Sequence, residues 1–184
     1  MNSTALFPKL LGDQAWQLLP QAVQLMHGPT PQRLRASGMA DVNGATNLPA
    51  RWLRRLLGLP PPGPQQSLAL TIERHDAHEI WTRHFSGRPM QSKLTQRAHS
   101  PLLTERLGPA TLSFALRRDA DGIDWQLRSL HVFGLPLPHA LRGDVLSHSG
   151  MRDGRYHFSV DVRLPLLGQP VAYHGWLEPL IDEA

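Results

Sequence analysis

Hydrophobic and polar residues alternate along most of the chain after residue 67, with the two-residue period of a β-strand. The alternation is clearest at 155–164, where the apolar residues are Tyr156, Phe158, Val160, Val162 and Leu164. Weaker versions predict strands at 32–41, 67–73, 78–85, 90–98, 102–107, 111–117, 123–133 and 171–177. We therefore predict about nine strands joined mostly by short turns, which is typical of an antiparallel meander.

Two segments near the N-terminus have helical spacing instead. Residues 12–27 carry apolar side chains at helical intervals, and Pro20 within them predicts a kink or a restart. Residues 47–57 begin with Asn47, a common N-cap, and end before Gly58, a common C-terminal stop, so they have the usual signals of a helix start and end. We expect Trp52 and its neighbouring leucines to pack on the sheet. The arginines of this helix leave docking on a membrane or a partner as an alternative.

These elements predict one domain, residues 1–184, of the α+β class and dominated by strands. A strongly curved antiparallel sheet, a half-barrel of about nine strands wrapped over the two helices, would bury the apolar faces best. Within 123–133 the alternation changes phase near 128–129, which predicts a β-bulge. Gly134 and the prolines after it predict that the chain leaves the sheet edge there.

Composition narrows the class of protein further. The chain has 184 residues, 41% of them hydrophobic and 18% charged, as in an ordinary globular domain. It has no cysteine, which excludes disulfides and thiolate chemistry. The net charge of +4 is too small and too scattered to indicate nucleic-acid binding. Residues 1–11 lack the pattern of a signal peptide, and no apolar stretch is long enough to span a bilayer, so we expect a soluble cytoplasmic protein.

Two charged residues interrupt apolar strand faces. Arg83 has the parity of Trp81 and Phe85, and Glu105 has the parity of the leucines on either side of it. An unpaired buried charge destabilises the folded state by several kcal/mol. We therefore predict that Arg83 and Glu105 come within salt-bridge distance of each other or share a polar cavity. The pair could be a plain buried ion pair, or it could orient a ligand.

Other chemistry is weakly indicated. The chain has no Gly-x-Ser-x-Gly elbow, no phosphate-binding loop and no dinucleotide fingerprint. Among the ten histidines, His75 and His78 flank Asp76 at a turn, where solubility is a simpler explanation than a metal site. We expect no metal and no cofactor. His131, next to the predicted bulge, and His174, near the last strand, could each line the mouth of a cavity, although a lone histidine is more often packed or on the surface. Of the two, we include His131 among the expected ligand-binding residues.

The order of several motifs resembles a bacterial family, the domain of unknown function numbered 4166. The matching motifs are LFPKLLG at 6–12, LMHG at 25–28, ASGMADVNGA at 36–45, RLLGLP at 55–60, WTRHFSG at 81–87, LTERLGPATLSFAL at 103–116, FGLPLPHAL at 133–141 and DGRYHFSVDVRLPLLGQPVAYHGWLEP at 153–179. The family has no established activity, and its members occur alone or behind a saccharopine-dehydrogenase-like NAD(P)-binding domain. The resemblance therefore implies an accessory or ligand-binding role, with a separate NAD(P)-dependent oxidoreductase as a partner.

Three functional hypotheses follow. In the first, the domain is not an enzyme and binds an apolar or lipid-like small molecule in a sheet-walled cavity. The ligand-binding residues expected for it are Trp81, Arg83, Phe85, Glu105, Trp125, His131 and Tyr173. In the second, the protein is an enzyme with Glu105 or His131 as general acid or base. In the third, it docks on an oxidoreductase through the basic helix, which predicts a filled interior and an exposed apolar patch around Trp52.

Overall fold

In the computed structural model, the chain forms a barrel of antiparallel strands with helices at both ends. The structure describes residues 5–29, 31–165 and 167–180. The strands are β1 (Arg33–Asn43), β2 (Gly63–Arg74), β3 (His78–Phe85), β4 (Arg88–Gln96), β5 (Leu103–Leu107), β6 (Ala110–Arg118), β7 (Gly122–Val132), β8 (Leu135–Pro136), β9 (Asp144–Arg152), β10 (Arg155–Leu164) and β11 (Gly168–Pro179). The helices are α1 (Leu6–Leu11), α2 (Asp13–Gln17), α3 (Gln21–His27), α4 (Leu48–Leu57) and α5 (His139–Arg142).

The sheet closes on itself. Each strand from β1 to β7 pairs with the next, β9 to β11 continue the meander, and β11 pairs back onto β1. The pairing of β7 with β9 completes a ring of ten strands, and the short β8 is added at the end of β7. The α+β class and the dominance of strands are confirmed. The predicted half-barrel of about nine strands is wrong, because the sheet is a closed barrel of ten.

The strand that sequence analysis missed is β9, and it is the one that closes the barrel. Its inward positions are Val145, Ser147 and Ser149, while Leu146 on the outer face is exposed. Because serines stand where apolar residues were expected, the two-residue period is not visible in this segment. The predicted meander therefore lacks the strand that joins β7 to β10.

The N-terminal helices close one end of the barrel. Phe7 of α1 and His27 at the end of α3 are fully buried, and the Phe7 ring centroid lies 5.3 Å from that of Trp125. The predicted helix at 12–27 is confirmed as two helices, α2 and α3, separated at Pro20. Aromatic side chains pack against the barrel interior at this end, which also buries Arg74 and Glu79.

Helix α4 lies at the opposite end, and its leucines Leu53, Leu56 and Leu57 face the barrel as predicted, but Trp52 does not. Its boundaries are confirmed, since the Asn47 side chain accepts a hydrogen bond from the Ala50 N–H at 2.9 Å and Gly58 is left-handed. However, the Arg54 side chain is buried, while Trp52 is 72% exposed. Arg54 Nη1 donates to two backbone carbonyl groups, those of Ala45 at 2.6 Å and Pro170 at 2.8 Å. These carbonyl groups need a donor, so the helix turns its arginine inward and Trp52 outward.

The proline-rich stretch after β7 folds back instead of leaving the sheet. The predicted bulge is confirmed, because Arg128 is the extra residue between the pairs Leu127–Phe114 and Ser129–Ser113. Farther along, Phe133 and Gly134 both have positive φ and make a two-residue turn. Strand β8 then pairs with the end of β7, which corrects the prediction that the chain leaves the sheet edge.

Candidate functional site

The barrel encloses a chamber of about 100 Å³, which we call the inner chamber. Strands from all around the ring contribute to it, because every second residue of each strand points inward. Its aromatic and charged walls are Trp81, Arg83, Phe85, Glu105, Phe114, Trp125, Tyr156, Phe158 and Tyr173. A chamber of this volume holds several water molecules or part of a small ligand.

An ion pair lies in the wall of the inner chamber. Arg83 Nη1 and Glu105 Oε1 are 3.9 Å apart, with side chains only 13% and 14% exposed, so the predicted approach of these two charges is confirmed. Arg83 also donates to Ser92 Oγ at 3.0 Å, and its guanidinium lies 5.0 Å from the ring centroid of Trp81. Because 3.9 Å exceeds a normal hydrogen-bond length, the two charges leave donors and an acceptor available to a third polar group.

Two tyrosines add neutral hydroxyl groups to this wall. Burial raises the pKa of Tyr156 and of Tyr173 to about 12, so both hydroxyls stay protonated at neutral pH. The Tyr156 hydroxyl lies 3.0 Å from His27 Nε2. Burial, assisted by the positive charges of Arg74 and Arg83, lowers the pKa of His27 to about 3, and its ring is therefore neutral.

One donor in the wall has no partner. The indole N–H of Trp125 is buried and has no hydrogen bond within the part of the chain that the structure describes. Ser147 and Ser149 of β9 line the same chamber. Since buried polar groups are nearly always paired, this indole N–H is a candidate donor for a polar group bound in the chamber.

A second space of about 440 Å³, the outer chamber, adjoins the first at the end of the barrel that carries α4. Its walls are almost entirely aliphatic, from α4, from the segment after β7 and from the β10–β11 turn. Five residues line both chambers: Leu59, Leu107, Leu112, Val145 and Val162. The inner chamber therefore has a mainly apolar wall that carries several polar side chains, whereas the outer chamber is lined by apolar residues alone.

Six of the seven ligand-binding residues predicted from the sequence line the inner chamber. The exception is His131. Its neighbours Leu130 and Val132 line the outer chamber, so His131 points to the outer face of the sheet. The extra residue Arg128 changes the parity of the strand, which moves His131 away from the cavity and corrects that prediction.

The hypotheses fare differently on this geometry. His131 lies outside the chamber and is not a candidate acid or base there. For the enzyme hypothesis, Glu105 remains as the candidate acid or base. The docking hypothesis predicted a filled interior, whereas the barrel holds two chambers, but its exposed patch around Trp52 is present. Sequence analysis missed the serines of β9, Tyr156 and the aliphatic outer chamber. Strict alternation around Tyr156 is the one signal that could have assigned it to the interior.

Outside the barrel, Asp119, Asp124 and His148 bring ligand-type atoms within 4.8 Å of one another. His148 Nδ1 lies 2.7 Å from an Asp124 carboxylate oxygen, within hydrogen-bond distance. His75 and His78 stack on each other at 4.6 Å. In the described ranges, no helix has the length and hydrophobicity needed to cross a membrane.

A family model described as a domain of unknown function (DUF4166) matches residues 19–177. The resemblance seen in the sequence motifs is thus confirmed over most of the chain. No curated protein matches the chain, and no solved structure matches it. The association with saccharopine-dehydrogenase-like domains stays a prediction.

Proposed function

The chain belongs to the DUF4166 family of domains of unknown function, and we propose its function from the barrel itself. It is a binding domain for a small amphipathic molecule without net charge, such as a long-chain alcohol, amide or monoacylglycerol. The polar end of the ligand lies in the inner chamber and its hydrocarbon chain in the outer chamber. The observation that carries this proposal is the group of polar side chains in the wall of the inner chamber, next to an outer chamber that has none.

The polar groups of the inner chamber set the chemistry of the ligand's head. Arg83 and Glu105 carry opposite charges, so their sum favours a head without net charge. A hydroxyl or amide can accept from Arg83 or from the Trp125 indole N–H and donate to Glu105. An apolar head would leave the Trp125 donor unsatisfied, which costs roughly 1–3 kcal/mol.

The outer chamber accounts for the hydrocarbon part. Its volume of about 440 Å³ lies in the range of small-molecule pockets, roughly 300–1,000 Å³. Transfer of each methylene from water to such walls contributes about 0.8 kcal/mol. The affinity should therefore rise about fourfold with each added methylene until the chambers are full.

The test is a calorimetric titration with the n-alkanols from hexanol to decanol. Wild-type protein should bind one alkanol per chain with affinity that increases along the series. Val162→Trp places an indole where the chambers adjoin and should abolish binding. Leu146→Trp adds the same side chain to the outer face of the neighbouring strand and should bind as wild type. Absence of binding along the whole series, or unchanged binding by Val162→Trp, would refute the proposal.

The polar end is tested by removing both charges together, because a single substitution would leave its partner buried and unpaired. Arg83→Met/Glu105→Gln should weaken decanol binding about tenfold, the effect of losing a charged hydrogen-bond partner worth about 1.4 kcal/mol. The slope of affinity against chain length should stay the same, since the outer chamber is unchanged. A lost slope would contradict the assignment of the two ends.

A further inference from the structure

Helix α4 presents a stripe of apolar side chains to solvent. Leu48, Trp52 and Leu56 are spaced four residues apart, so they lie along one side of the helix. They are 69%, 72% and 49% exposed. Such a row on a helix whose ends are capped and whose position is fixed by Arg54 is a permanent feature of the surface and not a frayed end.

A second exposed apolar group faces α4 across the opening of the outer chamber. Phe133, Leu135 and Leu141, on the turn after β7, on β8 and on α5, are 71%, 71% and 50% exposed. Leu56 and Leu141 both line the outer chamber. The two groups therefore flank its opening, and we call these six residues the apolar rim.

The two segments that carry the apolar rim are basic, and the nearest acidic residue along the chain is the exposed Asp144 after α5. Arg51 and Arg55 are exposed on α4 beside the stripe. No Asp or Glu occurs at 42–72 or at 125–143, the two segments that contain the rim. An exposed apolar row with arginines alongside and no acidic residue is the pattern of helices that lie in the interface of anionic bilayers. Tryptophan also favours the headgroup level of a membrane.

We propose that the apolar rim docks on the surface of an anionic lipid bilayer. Trp52 and the rim leucines enter the headgroup region, and Arg51 and Arg55 contact lipid phosphates. This inference rests on the proposed function, because docking places the opening of the outer chamber against the hydrocarbon of the bilayer. An amphipathic ligand then passes between bilayer and barrel without exposing its chain to water.

The test is co-sedimentation of the full chain with vesicles of phosphatidylcholine alone and of phosphatidylcholine with about one third phosphatidylglycerol. Wild-type protein should bind the anionic vesicles and bind them more weakly as salt rises. Leu48→Ser/Trp52→Ser changes two rim residues that line neither chamber and should abolish binding. Arg51→Glu/Arg55→Glu should weaken it by about twenty-fivefold or more, since each removed arginine near the surface accounts for about fivefold.

Matched controls lie at the opposite end of the barrel. Leu18→Ser removes an exposed leucine there, and Arg117→Glu/Arg118→Glu reverses two exposed arginines. Both variants should sediment with anionic vesicles as wild type does. Equal losses in controls and rim variants would overturn the proposal, as would an absence of vesicle binding by wild type. Binding to an acidic protein with no vesicle binding would also overturn it and would assign the rim to a protein partner.

Decanol titration separates this inference from the function on which it rests. Leu48→Ser/Trp52→Ser should still bind decanol with wild-type affinity while failing to bind vesicles. Decanol binding without vesicle binding in wild type would refute docking and leave the binding domain intact. Vesicle binding by a wild-type chain that takes up no alkanol would refute the proposed function, and docking would then lack its stated purpose.

Discussion

His27 links the stability of the barrel to pH. Its ring is fully buried, contacts Phe7 and Trp125, and lies 3.0 Å from the Tyr156 hydroxyl through Nε2. Burial lowers the pKa of His27 to about 3, whereas in the unfolded chain it has the ordinary value of about 6.5. The perturbation we consider is His27→Gln, which keeps a polar side chain at this position but removes the titration.

The sign follows from proton counting. Between about pH 3 and pH 6.5 the unfolded chain binds a proton on His27 that the folded protein does not bind, so the free energy of unfolding falls as the pH falls through this window. At about pH 5 the unfolded histidine is almost fully protonated. The resulting loss, relative to about pH 7.5, is about 2 kcal/mol. This figure depends on the unfolded pKa and not on how far below 5 the folded pKa lies.

The assay is urea unfolding at about pH 7.5 and about pH 5, followed by far-ultraviolet circular dichroism. The drop in unfolding free energy between the two values should be smaller in His27→Gln than in wild type by about 2 kcal/mol. His84→Gln removes an exposed histidine of β3 and should retain the wild-type drop. An equal drop in wild type and His27→Gln would refute the reasoning, because it would mean that His27 is protonated in the folded state.

Two further predictions concern the stability of the barrel. Arg54→Met should lower the free energy of unfolding, measured in urea, by about 2–4 kcal/mol, because it leaves two buried carbonyl groups without a donor. Arg55→Met, at an exposed position, should change the free energy of unfolding by less than about 0.5 kcal/mol, and equal effects of the two substitutions would contradict the role of Arg54. A Cβ at Gly38 would lie 1.9 Å from the carbonyl oxygen of Trp176. Gly38→Ala should therefore separate β1 from β11 and lower the free energy of unfolding by about 3 kcal/mol or more, whereas Ser37→Ala should leave it nearly unchanged. An unchanged urea midpoint for Gly38→Ala would contradict this prediction.

Sequence analysis predicted the strands whose inward positions are aliphatic or aromatic. The run from Tyr156 to Val162 is an example, because burial of one face imposes a strict period. It failed at β9, where Ser147 and Ser149 face the interior. The inward serines that add polar groups to the cavity wall also remove the alternation by which a strand is recognised. Without this strand, sequence analysis did not predict a closed barrel.

The burial of Arg54 and the exposure of Trp52 on α4 were not predictable from hydrophobicity. The pattern of leucines and arginines indicated that Trp52 faces the sheet, yet Arg54 is the residue that is buried. Its position depends on carbonyl groups of Ala45 and Pro170, and Pro170 is more than a hundred residues away in the chain. Hydrogen-bond demands that arise only after the barrel closes have no local signature in the sequence.

The alternation of strand residues was sufficient to predict the charged pair of the candidate site. Arg83 and Glu105 each interrupt an apolar face, and the cost of burying a lone charge was sufficient to pair them. His131 was misplaced because the β-bulge at Arg128 was recognised but its effect on side-chain direction was not carried to the end of the strand. A bulge reverses every later position of a strand, so a site residue beyond one must be reassigned.

The proposed ligand of the barrel is an uncharged amphipathic molecule. Native mass spectrometry of freshly purified protein, compared with its denatured mass, tests this claim most directly. We predict an added small-molecule mass that disappears on denaturation, is retained in Leu146→Trp and is absent in Val162→Trp. A wild-type protein that shows only the mass of the chain, and still shows only that mass after incubation with decanol, would contradict the account.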